Sequence, residues 1–195
     1  MIRLWLTLLK INKSGEVFLG VVHRLDRPVS GAVIFARTSK SLSRLNALIK
    51  SREIKKTYWA VVKNKPPRES DTLVNFLRRD EGRNKSFITG EKTKNAQMAS
   101  LSYNLFGRSD NYYLLEVDLQ TGRHHQIRAQ LAGIGCPIKG DLKYGYPRSN
   151  SDGSIHLHAR KLSFVHPVNL NTVNIVAQTP VDPVWDFFIN NFTSC

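Results

Sequence analysis

The sequence predicts an α+β fold, with a mixed, mainly antiparallel sheet and flanking helices. Segments rich in β-branched and aromatic residues outnumber the segments with helical periodicity. Two of the strand-like segments are joined by a short turn, which is typical of a hairpin. The length of 195 residues and the hydrophobic fraction of 41% suit one globular domain with a core of its own.

The first half of the chain predicts two strands separated by a helix. Residues 31–36, of sequence Gly-Ala-Val-Ile-Phe-Ala, form an apolar run that predicts a buried strand. Thr38 or Ser39 can cap the helix that follows, because its leucines and isoleucine recur on one face. Residues 57–62 are β-branched and aromatic and predict another strand. Residues 63–68 contain two prolines and predict a loop inside the domain.

The second half of the chain predicts a hairpin, a helix and a closing β-rich stretch. Residues 98–106 and 112–119 are strand-like, and residues 107–111 hold the turn between them. Residues 123–132 predict a helix that is ended by glycines and a proline. The remaining predicted elements are two strands at residues 157–165 and 172–177, and a helix at residues 184–192 with Trp185, Phe188 and Phe192 facing inward.

The charge balance predicts a polyanionic partner. Lys and Arg number 29 against 15 Asp and Glu, so the net charge is +14 and the sequence pI is about 10.1. Such an excess on one domain favours nucleic acid, and less often a membrane surface. The alternative is a basic protein whose charge serves only solubility.

The sequence predicts neither a membrane span nor a disulfide framework. No apolar run approaches the ~20 residues that a membrane helix needs. Residues 4–9 are apolar, but they lack a cleavage site and are followed by Lys10 and Lys13, so we do not expect a signal peptide. Two cysteines, Cys136 and Cys195, suit a protein of the reducing cytoplasm with no disulfide partner.

Residues 23–31, of sequence His-Arg-Leu-Asp-Arg-Pro-Val-Ser-Gly, form the first of three chemically informative clusters. Asp26 lies between Arg24 and Arg27 and just before a Pro that bends the chain. Neighbouring cations keep a carboxylate ionised, which suits a catalytic base or a nucleophile. A salt-bridged turn is the alternative interpretation.

Residues 121–128, of sequence Thr-Gly-Arg-His-His-Gln-Ile-Arg, form the second cluster at a predicted helix start. Free backbone donors and cations at such a position favour an anion or phosphate site. A polar helix face is the alternative. Because Arg123 and Arg128 are five residues apart, we expect one to face inward while the other meets RNA.

The third cluster contains residues 137–141, Tyr144 and Gly145, followed by His156 and His158. The two histidines alternate on a predicted strand and therefore share one face. No Cys or acidic residue stands at ligand spacing to complete a metal site. We expect hydrogen-bonded or core histidines and no metal.

The first cluster resembles the HRLDxxTSG motif of the RluA-type pseudouridine synthases. Three further stretches are similar to motifs of that family and follow in the same order: residues 56–61 (KxYxA), residues 121–128 (TGRxHQIR), and the closing stretch from residues 137–141 through His158 to Pro167. The resemblance covers roughly residues 20–180. It implies a single catalytic domain over residues 1–195, with the pseudouridine synthase fold and without an S4-type RNA-binding domain.

The resemblance also implies roles for particular residues. Asp26 matches the family's essential aspartate, Tyr58 the tyrosine that stacks on the base and assists proton removal, and Arg128 the arginine that pairs with the aspartate. Arg24 matches the arginine proposed to fill the gap left by the flipped base. The residues predicted to contact the substrate are Arg24, Arg27, Arg123, His125 and Gln126.

The chain departs from the family pattern at two points. Val29 stands where the motif usually has Thr, and the usual N-terminal part before the motif is not recognisable. The resemblance implies isomerisation of uridine to pseudouridine in rRNA or tRNA by a cytoplasmic monomer that needs no cofactor. The alternatives are a basic RNA-binding module that lost catalysis through N-terminal truncation, and a hydrolase that uses Asp26 as a general base.

Overall fold

A computed structural model describes residues 18–192 of the chain. The apolar stretch at residues 4–9, Lys10, Lys13 and Cys195 carried predictions and lie outside the described residues. Within residues 18–192 the strands are β1 Gly20–Val21, β2 Ser30–Gly31, β3 Phe35–Ala36, β4 Lys55–Val62, β5 Ser70–Asp80, β6 Lys85–Thr89, β7 Gln97–Arg108, β8 Tyr113–Leu119, β9 Leu157–Val165 and β10 Thr172–Val176. The helices are α1 Ser39–Lys50, α2 Gln126–Gly133 and α3 Pro183–Phe192, with a short 3-10 helix at Leu142–Tyr144.

The main sheet has eight strands and confirms the predicted mainly antiparallel architecture. Its order is β10-β9-β4-β8-β7-β5-β6, and β2 joins β9 from outside this path. The β2–β9 pairing is parallel, and every other pairing in this sheet is antiparallel. Strands β1 and β3 form a separate two-stranded antiparallel pair.

The sheet is covered on both faces, because the side chains of its central strand alternate between two cores. Tyr58, Ala60 and Val62 of β4 belong to a core that includes Ile127 and Leu131 of α2. The side chains of Trp59 and Val61 point the other way, into a core built with Trp185 and Phe188 of α3. A third core lies under α1 and includes Leu45, Leu162 and Phe164.

Most predicted elements are confirmed. Thr38 caps α1, since its hydroxyl accepts a hydrogen bond from the Ser41 amide at 3.0 Å. β7 and β8 form the predicted hairpin, and β4, β9, β10 and α3 match the predicted segments to within one or two residues. Trp185 and Phe188 are buried as predicted, while Phe192 is partly buried against Gly107.

Three predictions about elements are corrected. Residues 31–36 do not form one strand, because Gly31 has a φ of +122° and the chain leaves β9 there before it pairs again as β3. Helix α2 begins at Gln126 instead of residue 123, because His125 has a left-handed φ of +52°. β5 and β6 were not predicted, since their exposed Val74 and Ile88 and clustered charges interrupt a clear alternation.

Two further structural findings bear on the sequence predictions. No helix within residues 18–192 is long and apolar enough to cross a membrane. Cys136 is a buried free thiol, and burial raises its pKa.

Gly31→Ala is expected to destabilise the fold by about 1–3 kcal/mol. A Cβ at residue 31 lies 2.4–2.7 Å from backbone atoms of Ala159, at a positive φ that alanine rarely adopts. Gly122→Ala is the matched control, because nothing lies within 4 Å of its added Cβ. Chemical denaturation of both variants measures the difference, and equal stability of the two would contradict this account of the β2–β9 contact.

Candidate active site

The loop that carries Asp26 is closed by a sharp turn and is attached to the sheet on the C-terminal side of that turn. The Val29 amide donates to the carbonyl of Asp26 at 2.9 Å and closes the turn. The Ile155 amide donates to the carbonyl of Pro28 at 2.9 Å, and Ser30 and Gly31 then pair with β9. Val29, which departs from the family motif, packs with its side chain against the main core. The loop is therefore fixed, and Asp26 keeps a 28% exposed carboxylate.

His158 and His156 are hydrogen-bonded core residues, as predicted. His158 Nδ1 lies 2.8 Å from the Ser30 hydroxyl, which helps to hold β2 on β9. His156 Nε2 lies 3.0 Å from a carboxylate oxygen of Asp182. Burial lowers the pKa of both rings, for His158 to about 4. Within the described part of the chain, no group of three or more His, Cys, Asp or Glu residues is arranged to hold a metal ion.

Arg128 of α2 reaches the carboxylate of Asp26 across the fold. Its Nη1 lies 3.4 Å from Asp26 Oδ2, although the two residues are 102 positions apart in the sequence. The Arg128 side chain is only 5% exposed. The structure thus brings together two of the three residues predicted to be catalytic, and α2 holds the arginine by burying it.

Asp141 holds Arg128 more tightly than Asp26 does, and its role was not identified from the sequence. Its carboxylate accepts hydrogen bonds from Arg128 Nε and Nη2, each at 2.7 Å, and is 1% exposed. Burial alone would lower the pKa of Arg128, but the hydrogen bonds and charges of Asp141 and Asp26 raise it above its usual value. One edge of the guanidinium is therefore fixed by a bidentate pair, and Nη1 is left to face Asp26.

His125 completes the support of the arginine. Its Nε2 accepts from Arg128 Nη1 at 3.1 Å, and its Nδ1 lies 3.1 Å from the hydroxyl of Tyr144. That hydroxyl donates to the carbonyl of Ser86, so the His125 Nδ1 carries the proton and donates to Tyr144. Burial and then the charge of Arg128 lower the pKa of His125 to about 3, which keeps the ring neutral. His125 was predicted to contact substrate, and the structure places it 7% exposed beside the arginine, where it forms part of the lining of the cleft.

Tyr58 lies on β4 with an 8% exposed side chain and lines the same cleft as Asp26. Burial, and then the negative charge of Asp26, raise the pKa of Tyr58 to about 12. The phenol is therefore protonated at neutral pH. Its ring offers a flat apolar wall, and its hydroxyl is close enough to Asp26 to sense the charge of the carboxylate.

The main cleft, which has a volume of about 1140 Å³, is lined by Asp26, Tyr58 and Arg128. Among the residues that the structure describes, its lining carries two carboxylates, Asp26 and Asp118. The cationic residues of the lining are Arg24, Lys50, Arg52, Lys55, Lys56, Arg123, Arg128 and Lys161. Lys56 is half-buried, and burial lowers the pKa of its amine. The cleft therefore attracts anions strongly.

The other predicted substrate residues fall into two groups. Arg24 and Arg27 are exposed beside Asp26. Arg123 is half-exposed, with Nε donating to the carbonyl of Met98 at 3.0 Å. Gln126 is 3% exposed, and its side-chain amide joins the turn before α2 to β7. Its Oε1 accepts from the Thr121 hydroxyl at 2.7 Å and from the Arg123 backbone amide at 3.0 Å, and its Nε2 donates to the Ser100 carbonyl at 3.0 Å. Arg123 thus lies near solvent and Arg128 inside, but Arg123 precedes α2, so this division follows from the turn before the helix and not from the helical spacing on which the prediction rested.

Comparison with known proteins gives one consistent result. A sequence model of the RNA pseudouridylate synthase family matches residues 4–133. The chain is 37% identical over 170 residues to an uncharacterized RNA pseudouridine synthase of Chloroflexus aurantiacus, which covers 87% of this chain and 52% of that protein. It is 35% identical over 176 residues to the ribosomal large subunit pseudouridine synthase D of Xylella fastidiosa, covering 84% of this chain and 52% of that protein.

Solved structures agree with the sequence comparisons. The fold superposes on human RNA Pseudouridylate Synthase Domain Containing 4 with a TM-score of 0.71 and 26% sequence identity. That match covers 88% of this chain and 75% of the human one. The chain spans about half the length of the curated relatives it matches.

Asp141→Asn is expected to destabilise the protein by about 3–5 kcal/mol, because it leaves the buried charge of Arg128 without its closest partner. Asp26→Asn is the matched control, since Asp26 is more exposed and makes one contact with Arg128 at 3.4 Å. Denaturation of both variants, of Arg128→Ala, and of the two double variants that combine Arg128→Ala with each Asn substitution gives the coupling energies. A larger Arg128 coupling to Asp26 than to Asp141 would contradict the assignment of Asp141 as the main support.

Proposed function

Because the chain belongs to the RNA pseudouridylate synthase family, we propose that it converts uridine to pseudouridine within RNA, with Asp26 as the catalytic carboxylate. The observation that carries this proposal is the meeting of Asp26, Tyr58 and Arg128 in one cationic cleft. These residues come from a loop, a central strand and a helix. Their assembly supports an enzyme over a protein that only binds RNA.

The reaction breaks the bond between ribose C1′ and uracil N1 and forms a bond between C1′ and C5. The proton on C5 is lost, and N1 gains one, so the product is an isomer of the substrate. An ionised Asp26 serves either as the nucleophile at C1′ or as a base at the sugar, and both assignments remain within the proposal. Arg128 supports each by donating from Nη1 to Asp26 Oδ2 at 3.4 Å, which orients the carboxylate.

Tyr58 supplies the wall against which the uracil ring stacks. Because its pKa is raised, the hydroxyl stays protonated and acts as a hydrogen-bond donor. A protonated phenol must release its own proton before it can accept the one from C5. The role of the hydroxyl in proton removal, which the family resemblance implies, is retained as part of the proposal.

The substrate is proposed to be RNA with the target nucleotide flipped out of its stack. Flipping costs a few kcal/mol, and contacts between cationic side chains and phosphates offset that cost. Ribosomal RNA is the first candidate, because one relative is named a ribosomal large subunit pseudouridine synthase, and tRNA is the second. We further propose a monomeric protein of the cytoplasm.

Asp26→Asn is expected to abolish pseudouridine formation while RNA binding stays within about threefold of the parent. The substitution removes the ionised oxygen but keeps the shape of the side chain. Unmodified ribosomal and transfer RNA transcripts are incubated with each protein, digested, and analysed for a nucleoside that has the mass of uridine but a different retention time. An anisotropy titration measures binding, and turnover by the Asn variant would remove Asp26 from the catalytic role.

Tyr58→Phe is expected to slow turnover at least about tenfold, with near-normal RNA binding, because the ring is kept and the hydroxyl is lost. Tyr113 lies at the other end of the β4–β8 pairing, so Tyr113→Phe is the matched control for loss of a hydroxyl. Single-turnover rates at saturating protein separate the chemical step from binding. An unchanged rate for Tyr58→Phe would show that the ring alone matters.

A further inference from the structure

The catalytic pair lies where two clefts adjoin. A second cleft, with a volume of about 400 Å³, shares part of its lining with the main cleft, including Arg24, Asp26 and Arg128. Beyond them it extends over Arg27 to the β5–β6 hairpin and to the 3-10 helix, at Arg79 and Lys143. Neither the sequence motifs nor the mechanism above uses this hairpin.

We propose that the second cleft binds a backbone phosphate of the RNA strand that carries the target uridine. The inference rests on the proposed function and adds a site for it. In this arrangement the main cleft receives the flipped nucleotide, and the second cleft fixes the strand next to it. Arg79 of β5 and Lys143 of the 3-10 helix supply the new contacts, together with Arg24 and Arg27.

The positive charge of the second cleft is not balanced by carboxylates among residues 18–192. Its lining contains one carboxylate, that of Asp26, which is already paired with Arg128. Within residues 18–192, four of its cationic residues form no ion pair with a carboxylate: Arg24, Arg27, Arg79 and Lys143. Arg83 of the neighbouring turn, by contrast, lies 3.8 Å from Asp80. Unpaired cations that share one cleft repel each other, and a bound anion relieves that repulsion.

The far wall of the cleft is preorganised. Lys143 Nζ donates to the carbonyls of Arg83 at 3.2 Å and Asn84 at 3.0 Å, so the amine is held against the hairpin turn. His124 lies with its ring nitrogens 2.9 Å from Ser86 Oγ and 3.1 Å from Asn84 Oδ1. These bonds fix the turn and the residue before His125, which reduces the entropy lost when a ligand is bound.

The position of the cleft favours an RNA phosphate over another anion. A nucleotide that reaches Asp26 in the main cleft stays covalently attached to a phosphate on each side. One of those phosphates, or the next along the strand, must therefore lie close to the loop that separates the two clefts. The volume of the second cleft is in the lower range of small-ligand pockets and suits a sugar–phosphate unit.

The test compares two charge-neutralising pairs. The cleft pair, Arg79→Gln with Lys143→Gln, removes two charges from the second cleft. The control pair, Lys92→Gln with Lys94→Gln, removes two charges from an exposed turn outside both clefts. Binding of a fluorescent single-stranded RNA with one uridine is measured by anisotropy as a function of salt. Arg79→Gln alone is included, because Arg79 is exposed and its loss leaves the contacts of Lys143 in place.

The cleft pair is expected to flatten the log–log salt slope by about 0.7, since each phosphate neutralised contributes about 0.7 and this cleft neutralises one. Between about 50 and 200 mM salt, the parent then loses about 2.6-fold more affinity than the cleft pair. The control pair should keep the parental slope, and Arg79→Gln alone should flatten it by about half as much as the cleft pair. Equal slopes for parent and cleft pair, or equal changes in both pairs, overturn the phosphate site.

A separate assay distinguishes this inference from the proposed function. Pseudouridine formation by the parent protein tests the function, whatever the salt slopes show. The cleft pair is expected to raise the KM for RNA about tenfold or more with kcat little changed, because its residues position the strand and do not touch the reacting base. If the parent forms pseudouridine and the cleft pair has an unchanged KM, the phosphate site is refuted while the proposed function stands.

Discussion

The paired hydrogen bonds between Arg128 and Asp141 are the constraint on which the arrangement of the active site depends. They place a buried cation at a fixed point on α2 and leave its third nitrogen for Asp26. A buried ion pair adds little net stability, because the loss of hydration nearly cancels the attraction. Its value here is positional: the arginine cannot withdraw from the cleft without leaving Asp141 uncompensated.

Several parts of the fold serve this constraint. His125 takes a left-handed backbone conformation, which ends the turn before α2 and directs its ring to Arg128 and Tyr144. Tyr144 in turn bonds the backbone of Ser86 in β6, so the far edge of the sheet is linked to the Arg128–Asp26 pair. The neutral state of His125 follows from burial beside the guanidinium, and a neutral ring is the acceptor that Arg128 requires.

The loop of Asp26 depends on a different contact. It joins the sheet through a short parallel pairing at β9, the one departure of the main sheet from an antiparallel pattern. Gly31 permits this close approach, and the Ser30–His158 bond secures it. Tyr58 lies on the strand next to β9, so the same attachment sets both the carboxylate and the aromatic wall of the cleft.

The sequence by itself determined the class of fold and most elements, and its resemblance to the family singled out the three proposed catalytic residues. Hydrophobic periodicity and turn chemistry are local properties, and the motifs around Asp26, Tyr58 and Arg128 are short and contiguous. The excess of 14 positive charges likewise predicted an anionic partner from composition alone. The β5–β6 hairpin was missed because its strands are partly exposed and their polarity does not alternate clearly.

Only the tertiary structure decided which partners these residues have. Asp141 lies 13 positions from Arg128 and Ser86 lies 58 from Tyr144, and no local pattern specifies such pairings. The inward position of Gln126 and His125, which sequence alone assigned to substrate contact, follows from the turn before α2 and from burial against β7 and the 3-10 helix. The adjoining clefts have the same origin, since Arg79, Lys143 and Arg27 are brought together by long-range packing, and packing depends on the whole chain rather than on any one segment.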